Sequence, residues 1–100
     1  MTKRKVRAAS IRAALVRISK QLKASPVTRD KHRREKHTVA LPGAEFVDAA
    51  IDAMDEPGTN PTVASQQCRR AMELLREHPE LARVFADLDD VIEDRADYLP

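Results

Sequence analysis

The sequence predicts a mainly α-helical fold with one short strand. Apolar side chains recur at helical spacing in four segments, and only one short segment alternates with the period of two that strands show. Aromatic residues make up 3% of the sequence, too few for an all-β sandwich. With 100 residues, the chain has room for a single small domain.

The core of one copy is expected to be thin. Apolar residues make up 42% of the chain, but 15 of them are alanine, and Leu, Ile, Val and Phe together number only 22. A chain of this size also buries well under three quarters of its surface. Because self-association enlarges a small core, the composition favours a homodimer.

The two halves of the chain carry opposite charges. Residues 1–37 contain 13 Lys or Arg and two acids, a net charge of +11, whereas residues 38–100 contain five Arg and 14 acids, a net charge of −9. This polarity is typical of a polyanion-binding arm joined to an acidic body. Two alternatives stay open: a solvated tail without a partner, and a mitochondrial transit segment, because residues 1–29 contain no acid.

The first predicted element is a helix over residues 6–23. Four branched residues at i, i+4, i+7 and i+11 form its apolar stripe: Ile11, Leu15, Ile18 and Leu22. Ser25-Pro26 ends the helix, because the residue before a proline is displaced from the α region. A charged linker follows, so residues 1–35 form a basic N-terminal region.

A strand is predicted next, at the start of a middle region over residues 36–78. Val39 and Leu41 alternate with more polar neighbours, and Pro42, which cannot donate to a sheet ladder, ends the strand. A lone strand leaves its N–H and C=O groups without partners. Two copies of the chain can solve this by pairing their strands into an antiparallel ribbon.

Three further helices are predicted after the strand. The first covers residues 43–55, and the second covers residues 61–77, where Asn60-Pro61 combines a preferred N-cap with a proline at the first helical position. The last region, residues 79–100, is predicted to be an acidic amphipathic helix. Its apolar stripe consists of Leu81, Phe85, Leu88, Ile92 and Leu99.

Three motifs of the middle region occur in the order strand, helix, turn, helix. They are Thr38-Val39-Ala40-Leu41-Pro42 before a helix with Glu45, Gly58 in the turn, and Val63-Ala64-Ser65 leading to Arg69-Arg70-Ala71-Met72-Glu73. In these motifs residues 36–77 resemble the ribbon-helix-helix family, the Arc- and MetJ-like repressors and many antitoxins. The resemblance implies a ribbon-helix-helix homodimer, here extended by the basic helix and the acidic helix. The chain departs from the family by a residue inserted at Gly43 or Ala44 and by a longer turn after Gly58.

The resemblance also implies where DNA would be contacted. Alternate strand residues of the family enter the major groove, which assigns base contacts to Lys36, Thr38 and Ala40. Phosphate contacts are expected from the basic arm and from the start of the second helix of the motif: Arg4, Lys5, Arg7, Arg33, Arg34, Asn60 and Thr62.

The acidic helix is expected to bind a toxin-like protein partner. The residues assigned to that contact are Phe85, Leu88 and Ile92. The same stripe could instead complete the dimer core or pack on the basic helix of its own chain.

The sequence shows no motif for catalysis, a metal or a cofactor. Cys68 lies on the apolar side of its helix and is predicted to be a small buried hydrophobe. The histidines lack zinc-site spacing, and the two glycines form no phosphate loop. No apolar run is long enough to span a bilayer, and the basic start lacks the apolar core expected of a signal peptide. The chain is therefore expected to be a cytoplasmic non-enzyme without cofactor or membrane partner.

Two functions remain in competition. The first is a dimeric sequence-specific DNA-binding protein, a transcriptional repressor or an antitoxin, whose strand reads the major groove while the basic arm contacts phosphates. The alternative is an all-α protein-interaction module, a phage- or plasmid-type inhibitor or adaptor, without DNA binding. RNA association ranks third, because residues 1–37 contain no aromatic side chain on which bases could stack.

Overall fold

The computed structural model describes residues 2–24, 43–58 and 60–100. Within them the elements follow in this order: β1 (Arg4–Arg7), α1 (Ala8–Ala24), α2 (Ala44–Asp55), α3 (Pro61–Leu74), α4 (Pro79–Ile92) and β2 (Ala96–Leu99). The predicted mainly helical class is confirmed. The strand predicted at residues 36–41 lies outside the described residues, and so does most of the predicted linker.

Helix α1 buries the apolar stripe that the sequence predicts. Ile11, Leu15, Ile18 and Leu22 are all buried, and the helix packs against α2 and α4. Burying a large aliphatic side chain stabilises a fold by about 1.5–3 kcal/mol relative to leaving it exposed. The basic helix is therefore part of the core rather than a free arm.

The predicted start of α3 is confirmed, cap included. The side-chain oxygen of Asn60 accepts a hydrogen bond from the backbone N–H of Thr62 at 3.0 Å, and Pro61 occupies the first turn. The helix ends at Leu74, three residues earlier than predicted. Leu75 follows as its C-cap and turns inward, where it is buried.

The prediction that the last helix continues to Leu99 is wrong. Helix α4 ends at Ile92, and Asp94 then adopts a left-handed backbone with φ of 61°. The Arg95 N–H donates to the Asp90 carbonyl at 2.7 Å, which closes the helix end. Leu99 belongs instead to strand β2.

The two ends of the chain form a parallel pair of strands. The register runs from Arg4 beside Ala96 to Arg7 beside Leu99, so residues 6 and 7 are in a strand and not in the first helix as predicted. Val6 and Ala96 point into the core and are buried. This small sheet joins the segment that precedes α1 to the segment that follows α4.

A single hydrophobic core joins the three regions predicted as 1–35, 36–78 and 79–100. Helices α2 and α3 bury Val47, Ala50, Ala64 and Cys68 completely, against the other helices of the same chain. The small core predicted from composition favoured a dimer. In the structure, α1 and α4 of the same chain pack on α2 and α3 and enlarge that core. The homodimer itself stays a prediction.

Candidate polyanion-binding surface

The basic segment, defined here as residues 2–24, carries eight Lys or Arg residues and no acid. At its start, two cations bind acids at the end of α4. The Lys3 Nζ lies 2.6 Å from an Asp94 oxygen, and the Arg4 guanidinium lies 2.7 Å from both Asp87 and Asp90. These pairs hold strand β1 beside α4 and the acidic residues that follow it.

Two more cations, on α1, bind acids of α2. The Arg12 guanidinium donates two hydrogen bonds to Asp55, at 2.6 and 3.1 Å. The Lys23 Nζ lies 2.8 Å from Asp48, which also accepts a 2.6 Å hydrogen bond from the buried Ser19 hydroxyl. Because all these pairs are at least partly exposed, they set the orientation of α1 more than they stabilise it.

Four members of these ion pairs have pKa values shifted toward the charged form: Lys3, Arg12, Asp48 and Asp55. Hydrogen bonds from Arg12 lower the pKa of Asp55 and, in return, raise that of Arg12. Burial pushes the pKa of Asp48 upward, but the hydrogen bonds from Lys23 and Ser19 together outweigh it, so the pKa lies below its ordinary value. The hydrogen bond to Asp94 raises the pKa of Lys3.

We expect the free energy of unfolding to decrease as the pH falls below about 4. A carboxylate whose pKa is lower in the folded chain stabilises the fold above its unfolded pKa, 3.8 for Asp48, and loses that contribution as the pH falls toward the folded value. Asp48→Asn should therefore flatten the dependence of stability on pH, as measured by urea unfolding at successive pH values. The control is Asp52→Asn, on the exposed side of the same helix; equal flattening in both variants contradicts this account.

The other four cations of the basic segment form no ion pair with any residue in the described ranges. They are Lys5, Arg7, Arg17 and Lys20, and all four are exposed. Arg17 and Lys20 lie three residues apart, about one turn, on the outer face of α1. Since α1 contains no acid, the charged side chains that it presents on this outer face are all basic.

Lys5 and Arg7 line a cleft between β1, the start of α1 and α4. The cleft has a volume of about 360 Å³, and Arg83 of α4 also lines it. Its one acid, Asp87, is engaged by Arg4 at 2.7 Å. Three cations thus surround a shared space without an ion-pair partner among the described residues.

Arg83 did not emerge from the sequence as a site residue. Between residues 77 and 94 every other charged side chain is acidic, and the charge of −9 over residues 38–100 conceals Arg83. The sequence does hold a signal that could have singled out Arg83: it is the only Lys or Arg between residues 77 and 94, in an otherwise acidic stretch.

The structure separates the residues predicted to bind DNA. Lys36, Thr38, Ala40, Arg33 and Arg34 lie outside the described residues. Arg4, Lys5 and Arg7 all line the cleft, but Arg4 is held in the two ion pairs described above. Asn60 and Thr62 are exposed at the start of α3, where the Asn60 side chain serves as the helix cap.

The residues predicted to bind a protein partner differ in exposure. Leu88 is completely buried in the core of its own chain, so its surface is unavailable to a partner in this fold. Phe85 is half-buried, and the guanidinium of Arg69 lies 5.1 Å from its ring centre. Ile92 is 40% exposed. Helix α4 packs on α1 of the same chain, one of the alternatives that the sequence left open.

The predicted burial of Cys68 is confirmed, and burial raises the pKa of its thiol to about 12. Across the described ranges, no group of three or more His, Cys, Asp or Glu is arranged to hold a metal ion. None of the helices in those ranges is long and apolar enough to cross a bilayer. Comparisons with known protein families, with curated proteins and with solved structures give no match, so the ribbon-helix-helix resemblance stays a prediction.

Proposed function

We propose that this protein binds the phosphate backbone of double-stranded DNA through the cations of its basic segment that form no ion pair with a described residue. One observation carries the proposal: the fold neutralises four of eight cations internally and leaves Lys5, Arg7, Arg17 and Lys20 exposed. Cations that contact phosphates release condensed counterions, and this release supplies sequence-independent affinity. Because the other four cations are held in internal ion pairs, phosphate binding by the basic segment is assigned to these four alone.

The spacing of these cations suits a duplex. Arg7 directly precedes α1, and the helix places Arg17 and Lys20 about 14 and 18 Å beyond its first residue, Ala8. One DNA strand places a phosphate about every 3.4 Å along the axis, so the cations reach across roughly five base pairs. Because α1 is packed on the core, they are held at this spacing before DNA arrives, and less entropy is lost on binding.

Sequence choice within this proposal belongs to the segment that resembles the ribbon-helix-helix family. Lys36, Thr38 and Ala40 would contact base edges, and Arg33 and Arg34 would add phosphate contacts. A repressor or antitoxin role, a homodimer and a cytoplasmic location all depend on that part of the proposal. Replacing Lys36 and Thr38 with alanine should remove any preference among duplex sequences while binding to DNA in general persists.

A titration of the full chain with a labelled duplex, followed by fluorescence anisotropy, tests the phosphate contacts. Affinity should fall steeply between about 50 and 200 mM salt. The double variant Arg17→Gln/Lys20→Gln should reduce the slope of log K against log salt by about 1.8, because each phosphate contact contributes about 0.9. A duplex affinity that is indifferent to salt overturns the proposal.

The matched control is Arg12→Gln/Lys23→Gln. It removes the same charge from the same helix, but from cations that are already bound to Asp55 and Asp48. The control should keep the wild-type slope, with folding checked by circular dichroism. If both double variants lower the slope equally, the division into paired and unpaired cations has no role in DNA binding.

A protein-interaction module is the second candidate, and exposed apolar side chains favour it. Leu74 is 53% exposed, Ile92 40% and Val63 38%. Under this function DNA has no effect, and the opposite charges serve only to dock α1 on the other helices. Leu74→Ser should then lower the mean mass found by sedimentation equilibrium, or the affinity for a partner, without changing stability.

A further inference from the structure

We infer that the cleft between β1, the start of α1 and α4 binds a compact phosphate-bearing molecule, a phosphomonoester or a diphosphate. Lys5, Arg7 and Arg83 line it, and none of the three forms an ion pair with a described residue. Lys5 and Arg7 belong to β1 and Arg83 to α4, far away in sequence; the β1–β2 sheet and the contact between α1 and α4 bring these elements together.

The charge balance of the cleft favours an anion. Asp87, its one acid, is already bound by Arg4. Asp97 lies beside Lys5 in the sheet register but does not line the cleft. An anion that enters therefore meets three cations without displacing a bound carboxylate.

Two further features of the lining suit a phosphate. The first turn of α1 contains no acid, so no carboxylate within that turn offsets the positive end of the helix dipole. Ser10, in that turn, lines the cleft and offers a hydroxyl donor. Arg83 can present its planar guanidinium to two phosphate oxygens at once.

The size and walls of the cleft restrict the rest of the ligand. A volume of about 360 Å³ is at the lower end of the range for small-molecule sites. The apolar walls come from Val6, Ile11, Ala14 and Val84. No aromatic ring belongs to the lining that the structure describes, so a nucleobase would find no stacking partner. A small aliphatic or sugar phosphate fits this combination better than a nucleotide.

This site goes beyond the DNA-binding proposal and does not depend on it. It shares Lys5 and Arg7 with the proposed DNA surface, but Arg83 is on α4, outside the basic segment. The two proposals can therefore fail separately: Arg83→Gln addresses the cleft, and Arg17→Gln/Lys20→Gln addresses the duplex surface.

Calorimetric titration of the full chain with pyrophosphate, at constant ionic strength, tests the inference. We expect saturable binding of one pyrophosphate per chain and at least a tenfold loss of affinity in Arg83→Gln. Arg76→Gln removes the same charge from an exposed position outside the cleft and should bind as the wild type does. Absence of saturable binding to the wild type, or equal affinities in the two variants, overturns the inference.

A second variant guards against a folding defect in Arg83→Gln. Arg7→Gln changes the opposite wall of the cleft and should also weaken pyrophosphate binding about tenfold, whereas Arg17→Gln/Lys20→Gln should leave it unchanged. If the outer-face variant weakens pyrophosphate binding as much as Arg7→Gln does, the anion binds through general charge attraction and the cleft is not its site.

Discussion

Replacing Leu15 with alanine is expected to lower the free energy of unfolding of the whole chain by about 2–5 kcal/mol. Leu15 has no exposed surface and lies near the middle of α1, packed among residues of the common core. Truncation removes buried methyl groups and leaves a cavity, and both effects destabilise the fold. Urea unfolding followed by far-ultraviolet circular dichroism measures the loss, because α2, α3 and α4 contribute to the signal along with α1 and report the unfolding of the common core.

The control for this substitution is Lys20→Ala. It changes an exposed residue of the same helix and should alter the stability by no more than about 0.5 kcal/mol. If Leu15→Ala proves as mild as the control, the basic helix does not contribute to the core, and the arm predicted from composition describes the chain better.

Gly43→Ala is expected to destabilise the chain by about 2 kcal/mol or more, through backbone strain and crowding together. Gly43 precedes α2 with φ of +107°, a backbone conformation that residues other than glycine rarely adopt. A Cβ atom there would lie 3.0 Å from the Cγ of Leu75, a buried side chain at the end of α3. The substitution therefore pushes the start of α2 away from the end of α3.

Gly58→Ala separates the two causes. Gly58 also has a positive φ, +77°, but a Cβ at this position would have no neighbour within 4 Å. Its substitution should therefore show the backbone effect alone, about 1–2 kcal/mol. Chemical denaturation of both variants gives the difference, and equal losses would mean that the approach of Gly43 to Leu75 does not constrain the fold.

The parts of the fold that depend on near neighbours were predictable from the sequence. The stripe of α1 repeats within a few turns, and the Asn60-Pro61 start depends on adjacent residues, so both were visible locally. The β1–β2 sheet was not visible, because each strand has only four residues and its partner is about 90 residues away. Asp94, which terminates α4, is neither a glycine nor a proline and gave no clear stop signal.

The candidate site was predictable as a region but not residue by residue. Arg12 and Arg17 look alike in the sequence, yet only Arg12 faces an acid of α2, and it is neutralised there. Leu88 and Ile92 belong to one stripe, one turn apart, but the first is buried and the second is 40% exposed. Tertiary packing decides which residue of each pair stays accessible to a ligand or partner. The periodicity of the sequence does not reveal that packing.

Amide hydrogen exchange along α1 tests most directly the central claim that the basic segment and the acidic helices form one folded unit. We expect the amides of Leu15 and Ile18 to exchange only through global unfolding, with the same free energy as those of Leu81 and Leu88 in α4, because all four side chains share one core. Protection should persist in high salt, since apolar burial rather than exposed ion pairs holds α1 in place. Exchange from α1 at a much lower free energy than from α4, or release of α1 by salt, would contradict the account.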